Sequence, residues 1–152
     1  MLHHHVTRPN ALCHGTWSAN TSSQTTSGVL VQLTQYSAEG SQTRILLDAS
    51  DALALCAGIY DTVRAACLGN ACKVDQASSW SVETGREAEG CLRDEILLTL
   101  HDDGSCVERS STSLALPIAD ALEMVDKITA KAADVMKAIR ADGLSRMGRS
   151  PA

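Results

Sequence analysis

The chain has 152 residues, which is the usual length of a single domain. Apolar residues make up 44% of the sequence and aromatic residues 3%, without any Phe, so the composition excludes a wholly disordered chain and favours a core of aliphatic side chains. The net charge of −5 argues against a protein that works mainly by coating nucleic acid or anionic membranes.

Residues 1–27 are predicted to form a flexible N-terminal tail. The stretch from Thr16 to Gly28 consists mainly of Ser, Thr, Asn, Gln and Gly and has no apolar period. Ordered structure is expected to begin at Gly28 and to continue to residue 143 as a single α+β domain.

Within repeat one, residues 28–67, the first element is a predicted β-hairpin. Residues 29–35 are rich in Val and Leu with partial alternation, which is typical of a strand. A polar turn around Glu39-Gly40 follows, and residues 44–47 return as the second strand.

A helix is predicted to follow the hairpin and to run to about Cys67. Asp48 can cap it, because its carboxylate accepts hydrogen bonds from the free N–H groups of the first turn, and Gly69-Asn70 is a stop signal. The predicted apolar face consists of Ala49, Ala52, Leu53, Cys56, Ile59, Tyr60, Val63 and Ala66.

Residues 68–94 are predicted to be an irregular linker, with Trp80 as its one large apolar anchor. A connection of this length inside a compact domain is unusual. We interpret it as a functional loop or as a tether between two halves.

Repeat two, residues 95–143, shows the same order of elements. Residues 96–101 read as a strand, residues 113–116 as its return, and the helix after them is opened by Pro117 and closed by Gly143. The predicted apolar face of this second helix consists of Ile118, Ala121, Leu122, Val125, Ile128, Ala132, Val135, Met136 and Ile139.

The two segments predict an internal duplication. Sliding repeat two back by 69 positions superimposes the core faces of the helices without a gap, whereas the first strands align at a shift of 67. A lone hairpin is marginal in water, so two units are expected to bury their apolar faces together. The predicted fold is a tandem ββα–ββα pseudo-two-fold domain with a four-stranded antiparallel sheet and two helices on one face. The matched pairs in the helices include Asp51 with Asp120, Ala52 with Ala121 and Ile59 with Ile128.

One asymmetry between the repeats predicts a contact surface. The outward positions of the second helix are charged, but the equivalent positions of the first helix are small residues, and a glycine inside a helix costs about 1 kcal/mol relative to alanine. Either another chain contacts this face, or residues 1–27 or 68–94 cover it within the same chain. The residues predicted to bind a partner are Ala54, Ala57, Gly58, Asp61 and Trp80.

The sequence lacks the common catalytic motifs: a Gly-rich phosphate loop, G-x-S-x-G, H-E-x-x-H and C-x-x-C are all missing. We therefore predict that the protein is not an enzyme and needs no cofactor. An alternative is a cysteine-rich metal-binding protein, in which Cys67, Cys72 and Cys91 are three ligands of a zinc ion, although their spacing is not that of common zinc modules.

A second alternative is a nucleic-acid-associated protein. Residues 127–152 contain six basic and two acidic residues, and residues 144–152 are predicted to form a basic C-terminal tail. We favour the simpler interpretation, in which these basic residues complement the negative, C-terminal end of the helix dipole. The residues available for phosphate contacts are Lys131, Lys137, Arg140, Arg146 and Arg149.

The sequence thus favours a small, non-enzymatic protein–protein interaction module that acts through the first helix and the 68–94 linker. An inhibitor or adaptor, of the kind that phages and mobile elements encode, fits this description, and we expect a homodimer or a hetero-complex. No run of about 18 apolar residues and no secretion signal occurs, so a cytoplasmic location without membrane contact and with free thiols is expected.

Overall fold

The computed structural model describes residues 15–24, 28–37, 40, 42–76, 79–84, 95–101 and 111–148. In these ranges the chain has an α+β fold with two helices and two antiparallel sheets, and the predicted fold class is confirmed at this level. Neither of the two described helices combines the length and apolarity needed to cross a membrane.

The first sheet contains three strands in the order β1–β2–β3. β1 (Gly15–Gln24) pairs with β2 (Gly28–Ser37), which in turn pairs with β3 (Gln42–Leu47). The predicted first hairpin is confirmed as β2 and β3. Gly40 has a φ of 95° between these strands, a left-handed conformation that glycine adopts without strain.

The first helix, α1 (Ala49–Cys67), begins and ends at the residues that the sequence marks. A side-chain oxygen of Asp48 accepts a hydrogen bond from the backbone N–H of Asp51 at 2.7 Å, which caps the first turn as predicted. Gly69 has a φ of 74° immediately after the C-cap Leu68, so the glycine provides the left-handed residue that ends the helix.

The second sheet contains four strands in the order β4–β5–β6–β7. They are β4 (Lys73–Gln76), β5 (Trp80–Thr84), β6 (Glu95–His101) and β7 (Ser111–Pro117). The second helix, α2 (Ile118–Gly148), follows β7 directly. Pro117 is therefore the last strand residue and not the first helical one, and Gly143 lies within the helix and does not end it.

Each helix packs mainly against the sheet that it does not directly follow. α1 follows β3 but lies on β5, while α2 follows β7 but lies on β1 and β2, and the two helices also contact each other. The sheets meet where β2 lies against β7 and β3 against β6. Aliphatic residues of all these elements form one continuous core, as the composition predicts.

This arrangement differs from the predicted four-stranded sheet with both helices on one face. The two hairpins belong to separate sheets. The first hairpin is joined by one preceding strand, β1, and the second by two preceding strands, β4 and β5. The gained strands allow each hairpin to complete a sheet of its own, so that it does not need the other hairpin as its neighbour.

Three strands lie where the sequence predicts a tail or an irregular linker. β1 falls within residues 1–27, and β4 and β5 fall within residues 68–94. Their outward positions carry Ser, Thr, Asn or charged residues, so their composition resembles that of loops. Backbone pairing with an apolar neighbouring strand stabilises them, and pairing of this kind leaves little signal in the sequence.

The buried faces of both helices are rotated relative to the prediction. In α1, Leu55, Gly58 and Thr62 are buried, whereas Leu53 and Tyr60 are exposed. In α2, Met124 is buried, whereas the predicted core residues Leu122, Met136 and Ile139 are exposed. Each helix contacts both a sheet and the other helix. The buried face is broad in α1 and a single narrow stripe in α2, and in both helices it is centred away from the predicted position.

Candidate functional site

The outward side of α1 carries small and apolar residues together with the exposed charges of Asp61 and Arg64. Ala54, Ala57 and Asp61, three of the five residues predicted to bind a partner, are exposed there. Leu53 and Tyr60 flank them at 43% and 51% exposure. Because residues three, four and seven apart share one side of a helix, these side chains form a single surface, which we call the α1 outer face: Leu53, Ala54, Ala57, Tyr60 and Asp61.

The other two predicted partner-binding residues, Gly58 and Trp80, are buried against each other. A Cβ atom placed on Gly58 would lie 2.9 Å from Cη2 of Trp80 and 3.2 Å from Cγ1 of Val74. Trp80 is only 1% exposed. The close approach of this indole ring explains the helical glycine, and neither residue offers surface to another chain. At Gly58 the linker strands β4 and β5 thus cover the helix within the chain.

The corresponding side of α2 is charged. Glu123 and Lys127 form an exposed ion pair of 3.5 Å one helical turn apart, and Asp126 is exposed between them. The Lys127 ammonium also lies 5.3 Å from the centre of the Trp17 ring, within the range of a cation–π interaction. The first turns of α2 thus carry exposed charges at positions where α1 carries Ala54 and Ala57, although Leu122, Met136 and Ile139 of α2 are also exposed.

A polar cluster lies between the two sheets. The side-chain amide of Gln35, which is fully buried, donates to the backbone oxygen of Thr112 at 2.8 Å and more weakly to that of Leu98 at 3.4 Å. The hydroxyls of Thr43 and Thr112 lie 2.6 Å apart in a hydrogen bond. These bonds fix the relative position of the sheets, since a buried polar group that loses its partner is costly.

An open cleft of about 340 Å³ lies where the start of β1 meets β7 and the first turns of α2. Trp17 and Leu114 provide apolar surface in it, and Asp120, Glu123 and Lys127 provide charge. No pattern in the sequence indicates this cleft, because Trp17 lies in the segment whose composition is typical of a tail.

The cysteines are dispersed as far as the structure describes them. Cys56 is buried between the helices, where its thiol donates to the backbone oxygen of Val125 and accepts from Thr129. Burial raises the pKa of the Cys56 thiol above its ordinary value, and the hydrogen bond from Thr129 offsets this only in part. Cys56 is therefore a core residue with little thiolate character.

The predicted zinc ligands are only partly visible. Cys67 is exposed, Cys72 is half-buried with its sulfur 4.0 Å from the hydroxyl of Thr62, and Cys91 lies outside the described residues. Within the described ranges, no group of three or more His, Cys, Asp or Glu residues is arranged to hold a metal ion.

The basic residues predicted for nucleic-acid contacts lie along α2. Lys137 and Arg140 are exposed and Lys131 is half-buried. The side chain of Arg146 and the whole of Arg149 lie outside the part of the chain that the structure describes. Exposed aspartates alternate with the lysines on this helix, Asp134 among them, so the described part of α2 is of mixed charge.

No protein-family model matches this chain. No curated protein sequence matches it either. We therefore infer the function from the geometry of the chain itself.

Proposed function

We propose that this protein is a non-enzymatic interaction module, an inhibitor or adaptor, that binds another polypeptide through the α1 outer face. The observation that carries the proposal is the exposure of Leu53 and Tyr60 beside the exposed alanines of the same helix. Contiguous apolar surface on a folded domain is typical of protein contacts, whereas single exposed apolar residues are ordinary.

The composition of this face also suits a tight contact. Alanine allows another backbone to approach closely, and tyrosine combines a large apolar ring with a polar tip, which is why it is frequent in interfaces. Asp61 at the rim adds charge for orientation. Leu68, the exposed C-cap residue of α1, adds a further apolar side chain at the end of the helix.

We further infer that the chain arose by internal duplication, with each repeat enlarged to three strands and a helix. Two contacts between equivalent residues support the duplication. A residue can touch its own symmetry equivalent only where both lie at the two-fold axis. Thr43 touches Thr112, and Cys56 touches Val125, and both pairs are 69 positions apart, which is the shift that aligns the helices. The strand pairing also favours Val31 and Ile96 as equivalents, rather than Val29 and Ile96.

If the two helices arose by duplication, each position of the α1 outer face can be compared with its equivalent on α2. Under the 69-position shift, the equivalents of Ala54 and Ala57 on α2 are Glu123 and Asp126, both exposed. The two helices thus differ at these two outward positions, whereas Asp61 and Arg64 of α1 correspond to the exposed Ala130 and Ala133 of α2. A contact centred on Ala54 and Ala57 would account for the small residues at these two positions.

The direct test is to place a charge in the centre of the α1 outer face. We expect Ala57→Arg to abolish the assembly, whether a homodimer seen by light scattering or a complex captured from the native host. Burying an unpaired guanidinium in an interface is costly, whereas on an exposed position of the free protein it is tolerated. Circular dichroism should show an unchanged fold.

Ala130→Arg is the matched control, since Ala130 is an exposed alanine on the outer side of α2. The control variant should keep both the mass and the captured partners of the wild type. If Ala57→Arg also keeps them, the α1 outer face is not the contact surface and the proposal fails.

A further inference from the structure

The exposed side of α1 continues beyond the α1 outer face toward the end of the helix. Leu68, the C-cap residue, is the most exposed of the described large apolar side chains, at 70%. It lies seven residues after Asp61, and the exposed Arg64 lies seven residues after Ala57. Seven residues make about two turns of a helix, so the two members of each pair lie on the same side of α1.

The charges on this side of α1 are self-complementary. Asp61 and Arg64 carry opposite charges three residues apart, and both are exposed. In an antiparallel copy of the helix their order is reversed, so each carboxylate lies opposite the guanidinium of the other copy. The two side chains can also attract each other within one helix, and the antiparallel arrangement joins both pairs into one network. The third charged residue of α1, Asp51, lies in the first turn, away from this network.

The sizes of the neighbouring side chains match under the same reversal. Ala57 lies four residues before the charged pair, and Leu68 lies four residues after it. The large Leu68 of each copy therefore lies opposite the small Ala57 of the other. Tyr60, which is 51% exposed, lies opposite the half-buried Ala65 in the same way. A large side chain opposite a small one allows two helices to pack closely without leaving a void.

Charge alone does not distinguish α1 from α2. At the six equivalent positions α2 carries Asp126, Thr129, Ala130, Ala133, Asp134 and Lys137. Asp126 and Lys137 would also meet in an antiparallel pair of α2 helices, but none of the six is a large apolar residue. Exposed ion pairs contribute little by themselves, whereas Leu68 and Tyr60 would bury apolar surface. These positions therefore favour pairing through α1.

We propose that the partner of the α1 outer face is a second copy of this chain, bound by antiparallel pairing of the two α1 helices from Ala57 to Leu68. Asp61 of each copy pairs with Arg64 of the other, and Leu68 of each copy covers Ala57 of the other. This inference rests on the proposed function, because it names the partner of the same surface. A contact of about three helical turns is short, so the dimer is weak and depends on concentration.

Charge reversal tests the pairing in the full-length protein. Sedimentation from about 1 µM to about 1 mM measures the Kd of the dimer. Arg64→Asp places four carboxylates around the two-fold axis, and Asp61→Arg places four guanidinium groups there. Each single variant should raise the Kd at least about tenfold, whereas the double variant should return it to within about threefold of the wild type. Circular dichroism should show an unchanged fold, because both positions are exposed.

Lys137→Asp is the matched control, since it makes a comparable charge reversal at an exposed position of α2 and should leave the Kd unchanged.

A cross-link tests the register of the two helices. Cys67→Ser first removes the exposed thiol next to Leu68. In that background, a mixture of the Ala57→Cys and Leu68→Cys variants should form a disulfide-linked dimer under a mild oxidant. Neither variant alone should cross-link above the Cys67→Ser background, because identical positions lie about 16 Å apart along the helix axis.

A wild-type protein that stays monomeric at about 1 mM would overturn this inference. The proposed function would then still stand if Ala57→Arg loses a different partner captured from the native host, so the two failures are distinguishable. A dimer that neither single reversal weakens, that the double reversal does not restore, or that Lys137→Asp breaks would show that the contact is not the antiparallel α1 pair.

Discussion

At the level of single residues, Gly58 lowers the stability of α1 but leaves room for the indole ring of Trp80. A glycine in the middle of α1 weakens the helix, yet any side chain at this position would collide with the indole ring of β5. The sequence predicts that some close neighbour must exist, because the glycine lies well inside the helix. It does not indicate which neighbour, since Trp80 lies in a segment that reads as an irregular linker.

Gly58→Ala is expected to destabilise the protein by about 1–2 kcal/mol despite the better helix propensity of alanine. The new methyl group would lie 2.9 Å from Trp80, which is packed on all sides and cannot move aside cheaply. Urea unfolding measures the change as a lower midpoint.

Gly143→Ala is the matched control for this prediction. Gly143 lies near the end of α2 with no atom within 4 Å of an added Cβ, so only helix propensity should act. This variant should be more stable than the wild type by about 0.5–1 kcal/mol. If both substitutions stabilise the protein, the contact between α1 and Trp80 is looser than described.

At the scale of elements, the sequence predicts the helices better than the strands. Capping by Asp48 and termination at Gly69 mark α1 because these signals are local. β1 and β4 were not predicted, because strands of polar residues depend on neighbours that are distant in the sequence or on a single side chain such as Val74. Leu53 and Tyr60 are predicted to be buried but are exposed for a similar reason. Periodicity identifies an apolar side of the helix, but which of its residues are buried depends on the elements that pack against it.

The contact between the two sheets yields a prediction of its own. Thr43→Val should destabilise the protein by about 1–2 kcal/mol, because the hydroxyl of Thr112 then loses its partner in a buried place. The double variant Thr43→Val with Thr112→Val should be less destabilised than the sum of the single variants by about 1 kcal/mol. Additive effects in urea unfolding would mean that the two hydroxyls are not coupled.

At the scale of the whole molecule, the two halves depend on each other. α1 covers β5 of the second sheet, α2 covers β1 and β2 of the first, and one core runs through both. The sequence predicts that the two halves share a core, because one hairpin with one helix does not bury its own apolar surface. The sequence does not predict that each helix packs on the sheet that it does not directly follow, because this arrangement depends on contacts between residues that are distant in the sequence.

This arrangement also bears on the proposed function. Packing on a sheet and on the other helix buries one side of α1 and one side of α2. Large apolar residues remain exposed on both helices: Leu53 and Tyr60 on α1, and Leu122, Met136 and Ile139 on α2. The proposal for the α1 outer face depends on Leu53 and Tyr60 lying beside the exposed Ala54 and Ala57.

The shared core implies that the two halves unfold as a single cooperative structure, and urea unfolding followed by NMR can establish whether they do. The indole N–H signal of Trp17 reports the first sheet and that of Trp80 the second, while circular dichroism reports the helices. The account predicts one common midpoint for all three signals. Loss of one indole signal at a clearly lower urea concentration, with the other and most of the helix signal retained, would contradict it.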